Sequence, residues 1–268
     1  MPFLTGDKQV KAVINLLTLF FSVLALVMFV PPIAQSLTYH DFADAQTIFG
    51  IANFWNVVSN VPILIPGLLG LAFMARKKTR TLGNTYLEAG EWLPYLVFFV
   101  GVTLTAFGSA YYHYAPSNAT LIWDRLPMTI MFMGLFSAVV AERINVRAGI
   151  RLCLPFVLLG IGSVYNWAMT EQLGHGDLRF YAIIQFFPML ATPVILYLFP
   201  PRYTHTKALL WSLGWYVVAK VFEGTDDLFF HLIGLSGHTI KHVFCGVSAY
   251  WVYKMLKERA PLPASNSR

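Results

Sequence analysis

The chain has 268 residues, of which 57% are hydrophobic and only 12% are charged, and its mean hydropathy is +0.59. Soluble domains carry about 25% charged residues, so this composition excludes a water-soluble domain and an intrinsically disordered chain. Two cysteines are too few for a disulfide scaffold. The net charge is +6. In a membrane protein the positions of Lys and Arg along the chain are more informative than this sum, and no nucleic-acid partner is expected.

Eight apolar stretches are long enough to cross a bilayer as helices. About 20 mostly apolar residues are needed, because lipid cannot satisfy the hydrogen bonds of the backbone and a helix does so internally. In chain order the stretches cover residues 12–31, 53–75, 92–114, 121–141, 149–169, 180–199, 207–223 and 237–256. The sequence therefore predicts an all-α, multi-pass integral membrane bundle.

The first stretch could also be a cleaved signal peptide, since Lys8 and Lys11 precede it. However, no charged residue occurs from Ala12 to Tyr39, a run longer than the usual apolar region of about 7–15 residues. No clear cleavage site follows. We therefore predict a retained helix.

Basic residues indicate the orientation of the bundle. Arg179 is the only Lys or Arg in the connections 32–52, 115–120, 170–179 and 224–236, which lie on one side of the predicted membrane. Most other basic residues fall on the opposite side: Lys8, Lys11, Arg76, Lys77, Lys78, Arg80, Arg143, Arg147, Arg151, Arg202, Lys207, Lys254, Lys257, Arg259 and Arg268. The positive-inside rule then predicts that both termini are cytoplasmic. A compact chain of this kind suggests a bacterial inner membrane.

Five polar residues lie at the ends of three predicted spans. Ser109 and His113 are four residues apart at the end of the third span, Asp124 follows the start of the fourth, and His238 and His242 are four apart at the start of the eighth. Residues at i and i+4 share a helix face. Because the alternating topology brings these span ends to one side, we expect all five at a common depth. Ionisable groups inside a bilayer are costly, which makes this set a candidate functional site.

The three histidines suit a metal site. A histidine pair at i and i+4 can bind one ion from a single helix, and His113 would complete the three protein ligands of a catalytic zinc centre. Two alternatives remain open. The pair His238 and His242 could form only hydrogen bonds between helices, or His113 and one of the pair could be axial ligands of a haem.

The spacing Ser109-x3-His113-x10-Asp124, followed by His238-x3-His242, resembles the alkaline ceramidase family. That family belongs to a wider group of seven-helix membrane hydrolases that includes the adiponectin and progestin receptors. The segment Phe-Trp-Asn-Val-Val-Ser-Asn at residues 54–60 resembles the start of the first ceramidase helix. The resemblance covers about residues 50–256. It implies an added N-terminal helix and external loop at 1–52, a seven-helix core at 53–257 and a cytoplasmic tail at 258–268.

The resemblance implies a zinc-dependent amidase that cleaves ceramide-like lipids into a long-chain base and a fatty acid. Zinc would be held by His113, His238 and His242. Asp124 would move the proton of the attacking water, and Ser109 would stabilise the oxyanion. Two other functions stay open: hydrolysis of another lipid amide or ester, and a heptahelical receptor with structural zinc. The expected partners are the lipid substrate and the membrane.

A calcium site is doubtful. In eukaryotic alkaline ceramidases an acidic cluster, ending in a glutamate just before Phe-Trp-Asn, holds calcium. Here Asn53 takes that position, and Asp41 and Asp44 align poorly with the cluster. We predict a solvated loop instead.

Other residues receive structural predictions. Lys220 and Glu223 are expected to pair with each other, and Lys241 to extend towards the lipid headgroups. Trp167 and Tyr181 lie near span ends, where aromatic rings commonly anchor a helix at the membrane interface.

Overall fold

The computed structural model of the chain describes residues 6–76, 82–83 and 85–263. These residues form α-helices, one short 3-10 helix at Leu37–His40 and isolated bridges, with no β-strand among them. The helices are α1 (Gly6–Phe29), α2 (Phe54–Val58), α3 (Val61–Ala75), α4 (Trp92–Tyr114), α5 (Asn118–Arg143), α6 (Val146–Gln172), α7 (Arg179–Leu198), α8 (Ala208–Gly224), α9 (Asp226–Ile233) and α10 (Gly237–Glu258). The all-α prediction is confirmed. The basic residues Lys77, Lys78, Arg80 and Arg268, used to predict the orientation, lie outside the described residues.

Six helical spans are long and apolar enough to cross a membrane. They are α1, the α2–α3 segment, and α4 to α7. Of the two remaining predicted spans, α8 has only 17 residues, and α10 has 22 residues that include Lys241, Lys254 and Lys257. The part of the chain that the structure describes therefore has the character of a multi-pass membrane protein, with six helical segments long and apolar enough to cross a bilayer.

The surface of the bundle is strongly apolar. Phe21 and Leu26 on α1, Leu154 on α6, and Leu190 and Tyr197 on α7 are each at least 60% exposed. Soluble proteins rarely expose apolar patches on this scale. The exposed faces of these helices therefore suit contact with lipid.

Close helix crossings set the arrangement of the core. Helices α4 and α5 pack along their lengths, and α10 packs against α3 and α8. At Gly108 the backbone of α4 comes so near the carbonyl of Trp123 on α5 that a Cβ atom would collide with it. Gly246 similarly lets α10 approach the backbone of Pro62 on α3. Helix α1 packs mainly on α7, at the side of this core.

A buried ion pair joins the C-terminal end of α10 to α5. Arg259 Nη1 lies 2.7 Å from Glu142 Oε2, and the Tyr95 hydroxyl on α4 donates a 2.8 Å hydrogen bond to the same oxygen. The Arg259 guanidinium lies 4.1 Å from the centre of the Tyr203 ring. These contacts fix one end of α10, so that its first turns are held at the opposite end of the bundle.

Candidate metal centre and adjoining cavity

The end of α4 and the start of α10 bring the predicted histidines together. His113 is the penultimate residue of α4, and Ser236 caps α10 by accepting a 3.0 Å hydrogen bond from the Thr239 amide. This cap fixes where α10 begins, because its hydroxyl satisfies a backbone donor of the first turn. His238 and His242 then occupy one face of the first turns of α10.

The three imidazoles converge on one point. One ring nitrogen from each of His113, His238 and His242 lies within 4.8 Å of the others, and the Nε2 atoms of His113 and His238 are 3.2 Å apart. Nitrogens that share a tetrahedral zinc ion at about 2.0–2.1 Å would be about 3.4 Å from each other. All three side chains are buried. The predicted meeting of the histidines is thus confirmed, and the group could hold a metal ion.

The same geometry disfavours haem. The two axial ligands of a haem lie on opposite faces of the porphyrin, so their nitrogens cannot be within hydrogen-bonding distance. His113 and His238 are that close. The ring of Phe42 also packs 4.7 Å from the His113 ring, between centroids.

Ser59 orients His242. Its hydroxyl lies 2.7 Å from His242 Nδ1 and donates a 3.2 Å hydrogen bond to the Asn56 carbonyl. Because the Ser59 hydroxyl proton is donated to Asn56, the hydroxyl oxygen accepts a hydrogen bond from Nδ1–H of His242. The lone pair of the His242 ring is then on Nε2. That Nε2 atom is buried without a partner among the described residues. A buried nitrogen without a partner is costly unless something binds it, and second-layer hydrogen bonds of this kind are typical of metal-ligating histidines.

Sequence reasoning missed the role of Ser59. Ser59 follows α2, where the predicted span 53–75 is interrupted before α3 begins at Val61. The break turns its side chain towards α10. The signal was present in the segment 54–60, whose resemblance to the ceramidase pattern could have marked this serine as part of the site.

Ser109 and Asp124 lie beside the histidines. Both side chains are buried, and both line the same cavity. The close crossing at Gly108 brings the two side chains together, since it sets the separation of α4 and α5 at this level. All five predicted site residues therefore meet at one end of the bundle.

A cavity extends from this site into the apolar interior. Ser109, Asp124 and His242 line one end, and Leu209, Phe136 and Ala249 line the other. From His242 to Ala249 the cavity follows α10 for about 10 Å, at a rise of about 1.5 Å per residue. Its walls are mainly apolar side chains, so an alkyl chain could be buried there.

The segment before α2 covers the histidines. The centroid of the Phe42 ring lies 4.7 Å and 5.0 Å from those of His113 and His238. His40 anchors the segment, because its Nδ1 is 2.9 Å from the Tyr112 hydroxyl and its Nε2 is 3.0 Å from Asn118 Oδ1. We call residues 37–44 the cover segment.

The prediction of a solvated loop holds for Asp41 and is wrong for Asp44. Asp41 is exposed. Asp44 is fully buried: its Oδ1 accepts a 3.0 Å hydrogen bond from the Gln46 amide, and its carbonyl accepts one from Asn56. The carboxylate turns inward to satisfy the backbone of the turn that leads into α2.

Lys241 also differs from its prediction. Instead of extending towards headgroups, its ammonium donates to Glu223 Oε1 at 2.8 Å and lies 3.1 Å from His238 Nε2. A metal at His238 would replace the second of these bonds, while Glu223 would retain the ammonium. The expected pairing of Lys220 with Glu223 is confirmed.

Two aromatic side chains expected at the membrane interface are instead buried. The guanidinium of Arg125 lies 4.2 Å from the centre of the Trp167 ring and 4.8 Å from that of Tyr181. Both rings are within the protein because they cover this cation.

No protein-family model matches the chain, and no match is found among curated proteins. The resemblance to alkaline ceramidases therefore rests on the five site residues and the segment 54–60.

Proposed function

We propose that the chain is a membrane-embedded, zinc-dependent amidase that hydrolyses ceramide-like lipids to a long-chain base and a fatty acid. The observation that carries the proposal is the convergence of three buried imidazoles beside a buried serine and aspartate, at the end of an apolar cavity. The resemblance of these same residues to the alkaline ceramidases gives the reaction class.

The donor set fits zinc. Three neutral imidazoles leave a fourth position open, which is the arrangement of catalytic zinc sites. Bound there, zinc would supply Lewis-acid activation of a water molecule and of the substrate carbonyl. The Ser59 hydroxyl keeps the His242 ring in one tautomer, so that His242 offers a lone pair without losing a proton first. Calcium forms no part of the proposal.

Asp124 would move protons. Its carboxylate is buried beside Ser109 and lines the cavity with His242. It would accept a proton from the attacking water and then deliver it to the leaving amine, so that the C–N bond breaks as the long-chain base departs neutral. Ser109 lines the same cavity and would donate a hydrogen bond to the oxyanion when the tetrahedral intermediate forms.

The cavity explains why a lipid would be the substrate. The fatty acyl chain would lie along α10 among Phe136, Leu209 and Ala249, with its amide at Asp124. The exposed apolar faces of the bundle would keep the protein in the bilayer, from which the substrate would enter laterally. We place the protein in a bacterial inner membrane with both termini in the cytoplasm and the site towards the extracytoplasmic side.

Metal analysis and lipid hydrolysis test the proposal together. Purified protein should contain one zinc per chain and release labelled fatty acid from N-acyl sphingosine. Asp124→Asn should abolish release while zinc stays bound, and His238→Ala should lose both. His231→Ala is the matched control, because His231 is exposed and bonds only the Asp227 carbonyl.

Each alternative gives a different result. Cleavage of another N-acyl or O-acyl lipid, with ceramide left intact, would identify a different lipid hydrolase. Bound zinc without cleavage of any lipid would favour the receptor. Normal turnover by Asp124→Asn would refute the role given to Asp124.

A further inference from the structure

Arg125 is a buried cation without a carboxylate partner. Its residue is only 6% exposed, and no ion pair joins it among the described residues. Its Nη2 donates a 2.5 Å hydrogen bond to Gln35 Oε1, while its Nη1 has no hydrogen-bond partner in the described part of the chain. A buried charge normally has a partner, so the free Nη1 needs an explanation.

Arg125 also lines a second cavity. This cavity lies among α5, α7, α8 and α10 and is lined by Arg125, Tyr39, Gln185 and Lys220. It shares Asp124, Met128, Tyr216, Lys241 and Cys245 with the apolar cavity, so the two adjoin at the reacting carboxylate. A lipid with its chain in the first cavity would place its headgroup in the second.

The charges of the second cavity favour an anion. Its cations are Arg125, Lys220 and Lys241, and its carboxylates are Asp124 and Glu223. Glu223 is already paired with both lysines, and Asp124 forms no ion pair with Arg125 among the described residues. Arg125 is therefore the cation left to bind a ligand. The rings of Trp167 and Tyr181 cover its guanidinium and hold it in a fixed orientation.

We propose that Arg125 binds an oxyanion in the headgroup of the substrate, so that the enzyme prefers lipid amides with a carboxylate or phosphate close to the scissile bond. This inference rests on the proposed function, since it concerns the substrate of the same site. The guanidinium of Arg125 donates to the oxyanion and fixes the amide next to Asp124. A neutral ceramide would leave the guanidinium without an ionic partner.

Binding to a variant that cannot turn over tests the subsite separately from the reaction. The probes are N-palmitoylglycine, its methyl ester, N-palmitoylethanolamine and N-palmitoylethanolamine phosphate, presented in detergent micelles to zinc-loaded Asp124→Asn protein. The glycine acid and the phosphate should bind about tenfold or more tightly than the ester and the ethanolamide, because hydrogen bonds to charged groups are the strong ones. A preference for only one of the two anions would identify its source as carboxylate or phosphate.

Variants then assign the preference to Arg125. In the Asp124→Asn background, Arg125→Met should bind all four probes alike, and Arg125→Lys should restore part of the preference. Arg147→Met is the matched control, because Arg147 is exposed on α6. Equal binding of the glycine acid and its methyl ester by the Asp124→Asn protein overturns the inference, even if Arg125→Met does not fold. A preference for the anionic probes that persists in Arg125→Met also overturns it.

The two proposals can fail independently. A preference for the anions without cleavage of any amide would leave the subsite standing and refute the amidase. Cleavage of ceramide by the wild-type protein, with no preference among the probes, would support the amidase and refute the anion subsite.

Discussion

Hydrogen bonds from single hydroxyl and amide groups fix the orientation of the three histidines. Ser59 bonds Nδ1 of His242 at 2.7 Å, and Asn53 donates a 2.8 Å hydrogen bond to the backbone carbonyl of His113. Asn56 accepts from Thr239 next to His238. These residues fix ring orientation and helix position around the three histidines, as the second-layer partners of a metal site do.

Ser59→Ala should weaken zinc binding by about 10–100-fold, because second-layer partners of metal ligands contribute about this much. The substitution leaves the ring of His242 free to rotate and to exchange tautomers. Zinc competition with a chromophoric chelator measures the effect. Ser212→Ala, which removes a hydrogen bond between α8 and α10 away from the histidines, should leave zinc affinity within twofold. Equal affinities of the two variants would contradict the role of Ser59.

At this scale the sequence predicts the three histidines better than the residues that orient them. The histidines are predictable because helical spacing and span ends place them without further information. Ser59 and the Lys241–Glu223 pair are not, because their contacts depend on a break between two helices and on the rotation of α8 against α10. Arg125 illustrates the same limit, since its aromatic cover comes from α6 and α7.

The crossing of α4 and α5 is the element-level feature on which the site depends. Gly108 lets the two backbones touch one residue before Ser109 and opposite Trp123 and Asp124. Any side chain at residue 108 would push the helices apart. The serine and the aspartate would then separate.

Gly108→Ala should therefore reduce hydrolysis strongly and lower the free energy of unfolding by about 1–3 kcal/mol, the usual cost of overpacking. Gly162→Ala is the control, because a Cβ at Gly162 on α6 would meet nothing within 4 Å. It should keep activity and gain slightly in stability, since alanine favours a helix over glycine. Thermal unfolding in detergent and fatty-acid release measure both effects. Full activity in Gly108→Ala would show that the crossing tolerates displacement.

The positions of most helices can be predicted from the lengths of the apolar stretches, whereas the short helices and breaks between them cannot. The predicted spans 92–114 and 180–199 coincide with α4 and α7 to within a residue at each end. The sequence gives no hint of α9 (Asp226–Ile233), which lies in the predicted connection 224–236. Its Asp226 accepts from the His238 and Ala43 amides, so tertiary contacts hold this short helix in place.

In the whole molecule, two polar clusters sit at opposite ends of α10. The histidine site lies at its start, and the pair Arg259–Glu142 lies just past its end. The distance between them makes the two clusters energetically separate.

Glu142→Gln should destabilise the fold by about 3–5 kcal/mol, because it leaves the buried Arg259 without its counter-charge. Zinc stoichiometry should not change. Combined with Ser59→Ala, the losses of unfolding free energy should add, as expected for distant sites. Chemical denaturation in detergent measures the first effect and metal analysis the second. Loss of zinc in Glu142→Gln would show that the two ends are coupled.

The predicted orientation can be checked with cysteine labelling. In a Cys153→Ser/Cys245→Ser background, Asp41→Cys should react with a membrane-impermeant maleimide from the extracytoplasmic side, and Lys257→Cys should react only after the membrane is opened. Both positions are exposed, and they lie at opposite ends of the bundle. The reverse pattern would invert the topology and place the site at the cytoplasmic face.

The cover segment has a kinetic consequence. Phe42 lies on two of the three imidazoles, while His40 ties the segment to α4 and α5 and Ala43 ties it to α9. An ion held beneath it could leave only when these ties break. Stripping of zinc should then proceed at a rate that levels off as the chelator concentration rises, and His40→Ala should speed it up without a matching change in equilibrium affinity.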